Sequence, residues 1–141
     1  MTIAVILRGR GDTITLTPET TVADAVALFA ERRIGAAPVV DGGRVLGVFS
    51  ERDVIHCLHT RGGGALAATV ADGMTSPPIT VERHQPVIAA LSLMTRRRIR
   101  HLPVLDGERL VGFVSIGDLV KHRIDQIEAD AAAMRDYIAG G

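Results

Sequence analysis

Two short stretches of this chain pair a hydroxyl with a carboxylate three positions on: Ser50 with Asp53 in "GVFSERD", and Ser115 with Asp118 in "GFVSIGD". At a helix start the Ser oxygen accepts a backbone N–H of the first turn and the acidic side chain answers the cap amide, so either stretch reads as a capping box. The same groups can also hold a ligand. A helix start presents free N–H groups and a partial positive charge. A carboxylate that accepts two hydrogen bonds beside a hydroxyl suits vicinal hydroxyls, which is ribose chemistry. Capping and binding are compatible.

The two stretches are echoes of one another. Shifting the sequence by 65 positions aligns Ile14–Ile55 with Ile79–Val120 without a gap. Arg32/Arg97, Arg33/Arg98, Ile34/Ile99, Pro38/Pro103, Gly47/Gly112, Ser50/Ser115 and Asp53/Asp118 are identical pairs, and many others exchange one aliphatic residue for another. The chain is an internal duplication.

The elements that must position these residues repeat too. "TITL" and "PITV" are short β-branched runs suited to strands. Val22, Ala25, Val26 and Phe29, and then Val87, Ala90, Leu91 and Met94, each share one helical face. Thr21 with Asp24 reads as a cap and Pro86 suits a first turn. Arginines close both helices (Arg32, Arg33; Arg96, Arg97, Arg98), where cations complement the dipole. "APVVDGGRVLGVF" and "LPVLDGERLVGFV" predict hairpins about a DG turn, and a second helix opens at Ser50 or Ser115. "TRGGGALAA" predicts a flexible connector, and "TVADGMTSPP" leads into the second copy as "IAVILRGRGD" leads into the first.

The expected fold is mixed α/β: two strand–helix–strand–strand–helix repeats packed with pseudo-twofold symmetry, followed by a C-terminal helix. The corresponding boundaries are 1–60 for the first repeat, 61–68 for the linker, 69–123 for the second repeat and 124–141 for the helix. With 141 residues, 47% hydrophobic but only 3% aromatic and no Trp, the core must be built from Val, Ile, Leu and Ala. A chain of this length buries roughly 70% of its unfolded surface.

The doubled pattern, most specifically "RRIGAAPVVDGGRVLGVFSERD" and "RIRHLPVLDGERLVGFVSIGD", resembles paired cystathionine-β-synthase (CBS) domains, the Bateman module, over residues 1–123. The whole chain is similar to small stand-alone bacterial CBS pairs. In that family the Ser/Thr-x-x-Asp positions bind the ribose of adenine nucleotides. The resemblance implies two candidate sites. One combines Ser115, Gly117 and Asp118 with an adenine slot near Ile14, Ile34, Gly35 and Ala36 of the other copy. The second combines Ser50, Arg52 and Asp53 with Ile79, Ile99 and His101. Arg100 and His101 precede "LPV", where family members often place phosphate-binding bases, so the Ser115/Asp118 site is expected to hold the better phosphate clamp. Gly117 would leave the floor beneath the sugar open, and Arg52 either reaches a phosphate or lies on the helix surface.

Other signals carry less. "TRRRIRH" could be a nucleic-acid patch, but sixteen basic and sixteen acidic residues cancel and aromatic residues to stack bases are few. His56 and His59 have ligand spacing without a second ligand pair nearby, and no metal is expected. Neither a Walker loop nor a nucleophile elbow occurs, so no catalysis and no catalytic cofactor are expected. A single cysteine, Cys57, allows no internal disulfide, and the apolar run Ile3–Leu7 is too short for a signal peptide or a membrane span; the expected location is the cytoplasm.

The tail places Val120, Ile124, Ile127, Ala131, Met134 and Ile138 four and three apart, a seam for another helix that predicts a homodimer. The functional expectation is a regulatory module binding AMP, ADP, ATP or NAD, acting on an unknown protein target. The alternatives are a ligand-free dimerisation adaptor, an S-adenosylmethionine-binding pair, or a metal protein using His56 and His59.

Overall fold

The computed structural model describes residues 1–140; Gly141, the last residue of the expected tail helix, lies outside the described residues. Helix α1 (Ile3–Leu7) is followed by α2 (Val22–Arg32), the hairpin β1 (Ala36–Asp41) and β2 (Arg44–Ser50), and α3 (Glu51–Arg61). A 3-10 helix (Gly62–Ala67) and α4 (Val70–Gly73) lead to β3 (Val81–Glu82), α5 (Val87–Arg97), the hairpin β4 (His101–Asp106) and β5 (Arg109–Ser115), and the long α6 (Ile116–Gly140). The mixed α/β architecture and the C-terminal helix are as expected.

Both hairpins form where the DG turns fall, through different φ patterns. Gly42 and Gly43 both take positive φ, the pattern of a type I′ turn, whereas in the second hairpin only Gly107 does, as in type II′. The leading strands are shorter than "TITL" and "PITV" promised. Leu16 makes a single parallel bridge to Val39, and only Val81–Glu82 forms a strand, beside Val104–Leu105. In the first repeat the next position that faces β1 after Leu16 is Pro18, which has no N–H to donate; in the second, Arg83 N–H still donates to Leu105 O before the chain turns back, Gln85 N–H to Glu82 O.

Each repeat has its own core. Leu16, Val22, Ala25, Phe29, Val39 and Phe49 centre the first, and Val87, Met94, Leu102, Val104, Val114 and Leu119 the second, all buried. The lead-in segments are exchanged relative to sequence order. Fully buried Ile3 joins the second core, held by Ile3 N–H to Gln85 O and Val87 N–H to Met1 O. Val70 of α4 joins the first, held by Val70 N–H to Thr20 O and Val22 N–H to Ala68 O. The connector is therefore ordered rather than flexible: the 3-10 turn plants Ala65 in the first core.

Two glycines admit these straps. A Cβ on Gly47 would stand 2.6 Å from the carbonyl of Thr75, and one on Gly112 would stand 2.5 Å from a methyl of Leu7. Strands β2 and β5 meet where the repeats join, so the ends of both hairpins face the opposite repeat.

Candidate nucleotide site

Ser50 and Ser115 end β2 and β5, and the helices that follow start on them. Both are capping boxes. Ser50 N–H donates to Asp53 Oδ2 at 2.9 Å while Asp53 N–H reaches Ser50 Oγ at 3.4 Å; Ser115 and Asp118 repeat this at 2.9 and 3.1 Å. The first helical amide of each is tied back, Glu51 N–H to Gly35 O and Ile116 N–H to Arg100 O. Each cap uses one carboxylate oxygen, Oδ2, leaving Oδ1 facing a cleft. Thr75 Oγ1 donates to Asp53 Oδ1 at 3.1 Å. Arg10, which is 65 positions before Thr75, lies 3.1 Å from Asp118 Oδ1 and also donates to the Phe113 carbonyl at 3.1 Å.

Each Ser-x-x-Asp faces a cleft whose far wall belongs to the other repeat. A cavity of about 380 Å³ joins Ser50, Arg52 and Asp53 to Ile79, Arg98, Ile99, Arg100 and His101, with Ile55, Pro77 and Pro78 adding apolar surface. A second, of about 610 Å³, joins Ser115 and Asp118 to Ile14, Arg33, Ile34, Gly35 and Ala36, with Arg10 and Phe113. Both volumes suit a small organic ligand. The apolar partners expected for each Ser/Asp pair thus stand opposite it.

Two expectations are corrected. Arg100 lines the Ser50/Asp53 cleft and not the Ser115/Asp118 cleft, so the stronger cation cluster lies in the former. The reason is the crossed arrangement: residues preceding β4 face the Ser-x-x-Asp of the first repeat, not their own. Gly117 is not part of the Ser115/Asp118 cleft wall; it is exposed in the first turn of α6, so it opens no floor beneath a sugar.

Arg33 and Arg98 were legible only as complements to the helix dipoles. Each is a left-handed cap residue, φ +54°, lining one cleft. A non-glycine residue held there stores strain, which concentrates at functional sites. Arg10 and Thr75 had no motif to reveal them.

His101 stands in the wall shared by both clefts, stacked on Phe113 with ring centres 5.5 Å apart and planes 8° from parallel. Burial lowers its pKa, the carboxylates of Asp118 and Glu51 oppose this, and Arg100 adds to the lowering. For Asp118, burial raises the pKa, but the Ser115 amide and the Arg10 guanidinium outweigh it and hold the carboxyl below its ordinary value. His56 and His59 are exposed on α3 while Cys57 between them is buried against the first core, so the three share no face.

The CBS-domain family model matches residues 9–60 and 67–125. The chain belongs to the CBS-domain family. It is 32% identical over 150 residues to the mitochondrial CBS domain-containing protein CBSX3 of Arabidopsis thaliana, covering 99% of this chain and 73% of that one. A putative signal-transduction protein with CBS domains from Burkholderia ambifaria superposes with a TM-score of 0.80 at 41% identity, over 89% of this chain and 95% of that one. A CBS domain protein of Pyrobaculum aerophilum, solved in complex with AMP, superposes with a TM-score of 0.79 at 28% identity, over 93% and 99% of the two chains. Among the described residues no helix of this CBS pair is long and apolar enough to cross a membrane.

Proposed function

We propose that this CBS pair is a non-catalytic regulatory module that binds adenine nucleotides in the Ser50/Asp53 cleft. The observation that carries this reading is the composition of that cleft. A diol-binding pair from one repeat faces Arg98, Arg100 and His101 from the other, across an apolar slot of Ile55, Ile79, Ile99 and Pro78. The related protein complexed with AMP supports the ligand class.

In this reading Asp53 Oδ1 accepts from one ribose hydroxyl, beside the Thr75 hydroxyl already there, and Ser50 Oγ, whose own hydrogen goes to Asp53 Oδ2, accepts from the other. Arg98 and Arg100 hold the phosphate through charge-assisted bonds, with Arg52 at the rim. AMP, ADP, ATP and NAD share the adenosine that the cleft grips and differ in what extends from its 5′ oxygen. Because the walls come from different repeats, occupancy biases their packing to the extent that the ligand prefers one arrangement. The module acts as a homodimer on a protein target, in the cytoplasm.

Calorimetric titration of AMP, ADP, ATP and NAD tests this. Asp53→Ala and Arg100→Ala are each expected to weaken binding by roughly tenfold or more, the cost of losing a charged hydrogen bond, while Asp118→Ala leaves this site unchanged. Equal affinity in the wild type and Asp53→Ala would sink the assignment.

A further inference from the structure

Beyond residue 126 almost every position of α6 is exposed, and the helix still runs on to Gly140. Fourteen such residues extend about 21 Å. A lone helix of that length is marginal in water. Its apolar residues are nonetheless aligned, and Ile127, Met134 and Ile138 are 53%, 60% and 69% exposed. Leu119, His122 and Gln126, which are at least half-buried, lie on a separate face. The helix therefore carries two faces: one docks on its own repeat, and the other is bare.

The bare face is a heptad seam. Taking Val120, Ile127 and Met134 as d places Ile124, Ala131 and Ile138 at a, without a break. The flanking charges then fall at e (Lys121, Glu128, Arg135) and at g (Arg123, Asp130). Among the described residues Arg123, Glu128, Asp130 and Arg135 make no ion pair within the chain; Lys121 pairs with Asp125.

Those charges choose both the partner and its direction. In a parallel pair of identical helices each g residue meets the e residue five positions on in the partner. Arg123 then meets Glu128 of the second copy, and Asp130 meets Arg135, with both contacts repeated by the twofold axis. In a fully overlapped antiparallel pair, e meets e and g meets g: Lys121 faces Arg135, Glu128 faces Glu128, and Asp130 faces Asp130. Every charged contact is attractive in the first arrangement and repulsive in the second.

We infer that α6 joins two copies of this chain side by side as a parallel two-stranded coiled coil over residues 120–138. The inference rests on the homodimer reading above and adds its contact surface and direction; nucleotide binding is independent of it.

Three measurements on the full chain test it. Light scattering of the wild type is expected to give twice the chain mass at micromolar concentration; a monomer overturns the homodimer and the coil together. In a Cys57→Ala background, Met134→Cys is expected to form an interchain disulfide on mild oxidation. In an antiparallel coil the two introduced thiols lie about 15 Å apart, so a dimer that fails to crosslink overturns the direction alone. The double variant Arg123→Glu/Arg135→Glu, and separately Glu128→Arg/Asp130→Arg, are each expected to weaken self-association by roughly tenfold or more. Mixing the two restores a heterodimer. Dimerisation indifferent to both reversals overturns the role of α6 and leaves the homodimer standing.

Discussion

Arg10 lays its guanidinium on the one oxygen of Asp118 that the helix cap leaves free, at 3.1 Å. In the Ser115/Asp118 cleft the carboxylate best placed for a diol is thus already engaged by a residue of the N-terminal strap. Removing that cation changes the titration of Asp118 before anything else. Asp118 ionises below the ordinary value of about 3.9, because burial, which raises it, is outweighed by the Ser115 amide and Arg10. Its contribution to stability is present above the unfolded value and is lost as pH falls through the folded one. Arg10→Ala is expected to raise the carboxyl pKa, so that the contribution shrinks and its loss is complete at a higher pH, the pKa being read by carbon-detected NMR of the Asp118 carboxyl. An unmoved titration would mean the ion pair is not populated in solution.

A second prediction concerns the left-handed arginines. Arg33 and Arg98 both hold φ +54°, which costs a non-glycine residue about 1–2 kcal/mol. Arg98→Gly is expected to raise stability by up to about 1 kcal/mol, since glycine's extra freedom in the unfolded chain offsets part of the relief. Its affinity for AMP should fall while its affinity for adenosine stays the same. Denaturant melts and paired titrations check both halves. A variant that loses stability refutes the strain at Arg98, and one that loses both ligands equally refutes the assignment of Arg98 to the phosphate.

His101 gives the pH dependence on the neutral side. Burial holds its pKa below the ordinary histidine value of about 6.5, against the pull of Asp118 and Glu51. As pH falls through that value the unfolded chain takes a proton here first, so this residue's contribution shrinks on acidification. His101→Gln, which keeps a polar planar group on Phe113 but does not titrate, is expected to flatten the fall in unfolding midpoint between pH 7 and pH 5. An unchanged slope would assign that dependence to other groups.

The two strap glycines should respond unequally to one methyl. At Gly47 the added Cβ meets a backbone carbonyl, Thr75 O at 2.6 Å; at Gly112 it meets the end of the Leu7 side chain. A rotamer change relieves the second and not the first. Gly47→Ala is therefore expected to cost more stability than Gly112→Ala, by about 1 kcal/mol or more given the range for overpacking. Chemical denaturation of both variants decides it, and equal losses would show that Leu7 is as fixed as backbone.

The repeat, the two hairpins and both α2 and α5 were readable because their signals are local: DG turns, period-3.6 apolar faces, Ser at a helix start. The leading strands were over-read. β-branched residues favour a strand, but Pro18 has no N–H where the first ladder would continue, and the second turns back just after Arg83. The connector was misread for a similar reason, since three glycines suggest freedom while Ala65 packs into the first core.

At the site, the apolar partners of each Ser/Asp pair were legible from the repeat and the family, because aligned positions point to aligned walls. The placement of Arg100 was not. Which repeat supplies a wall depends on how the halves cross, and no local signal in "RIRHLPV" encodes that. Arg10 and Thr75 were invisible for the same reason: they sit in segments whose partner is distant in the chain.

The crossing of the straps also makes the two repeats unequal in time. The first core draws on residues between Leu16 and Met74, an uninterrupted stretch. The second needs Ile3 at one end and Leu119 at the other. On a chain emerging from the ribosome, the first repeat holds everything it needs before the second, and α1, which precedes both, finds its place only with the second. The apolar segment of residues 3–7 must wait unpaired until the second repeat is made, although it precedes the first in the chain.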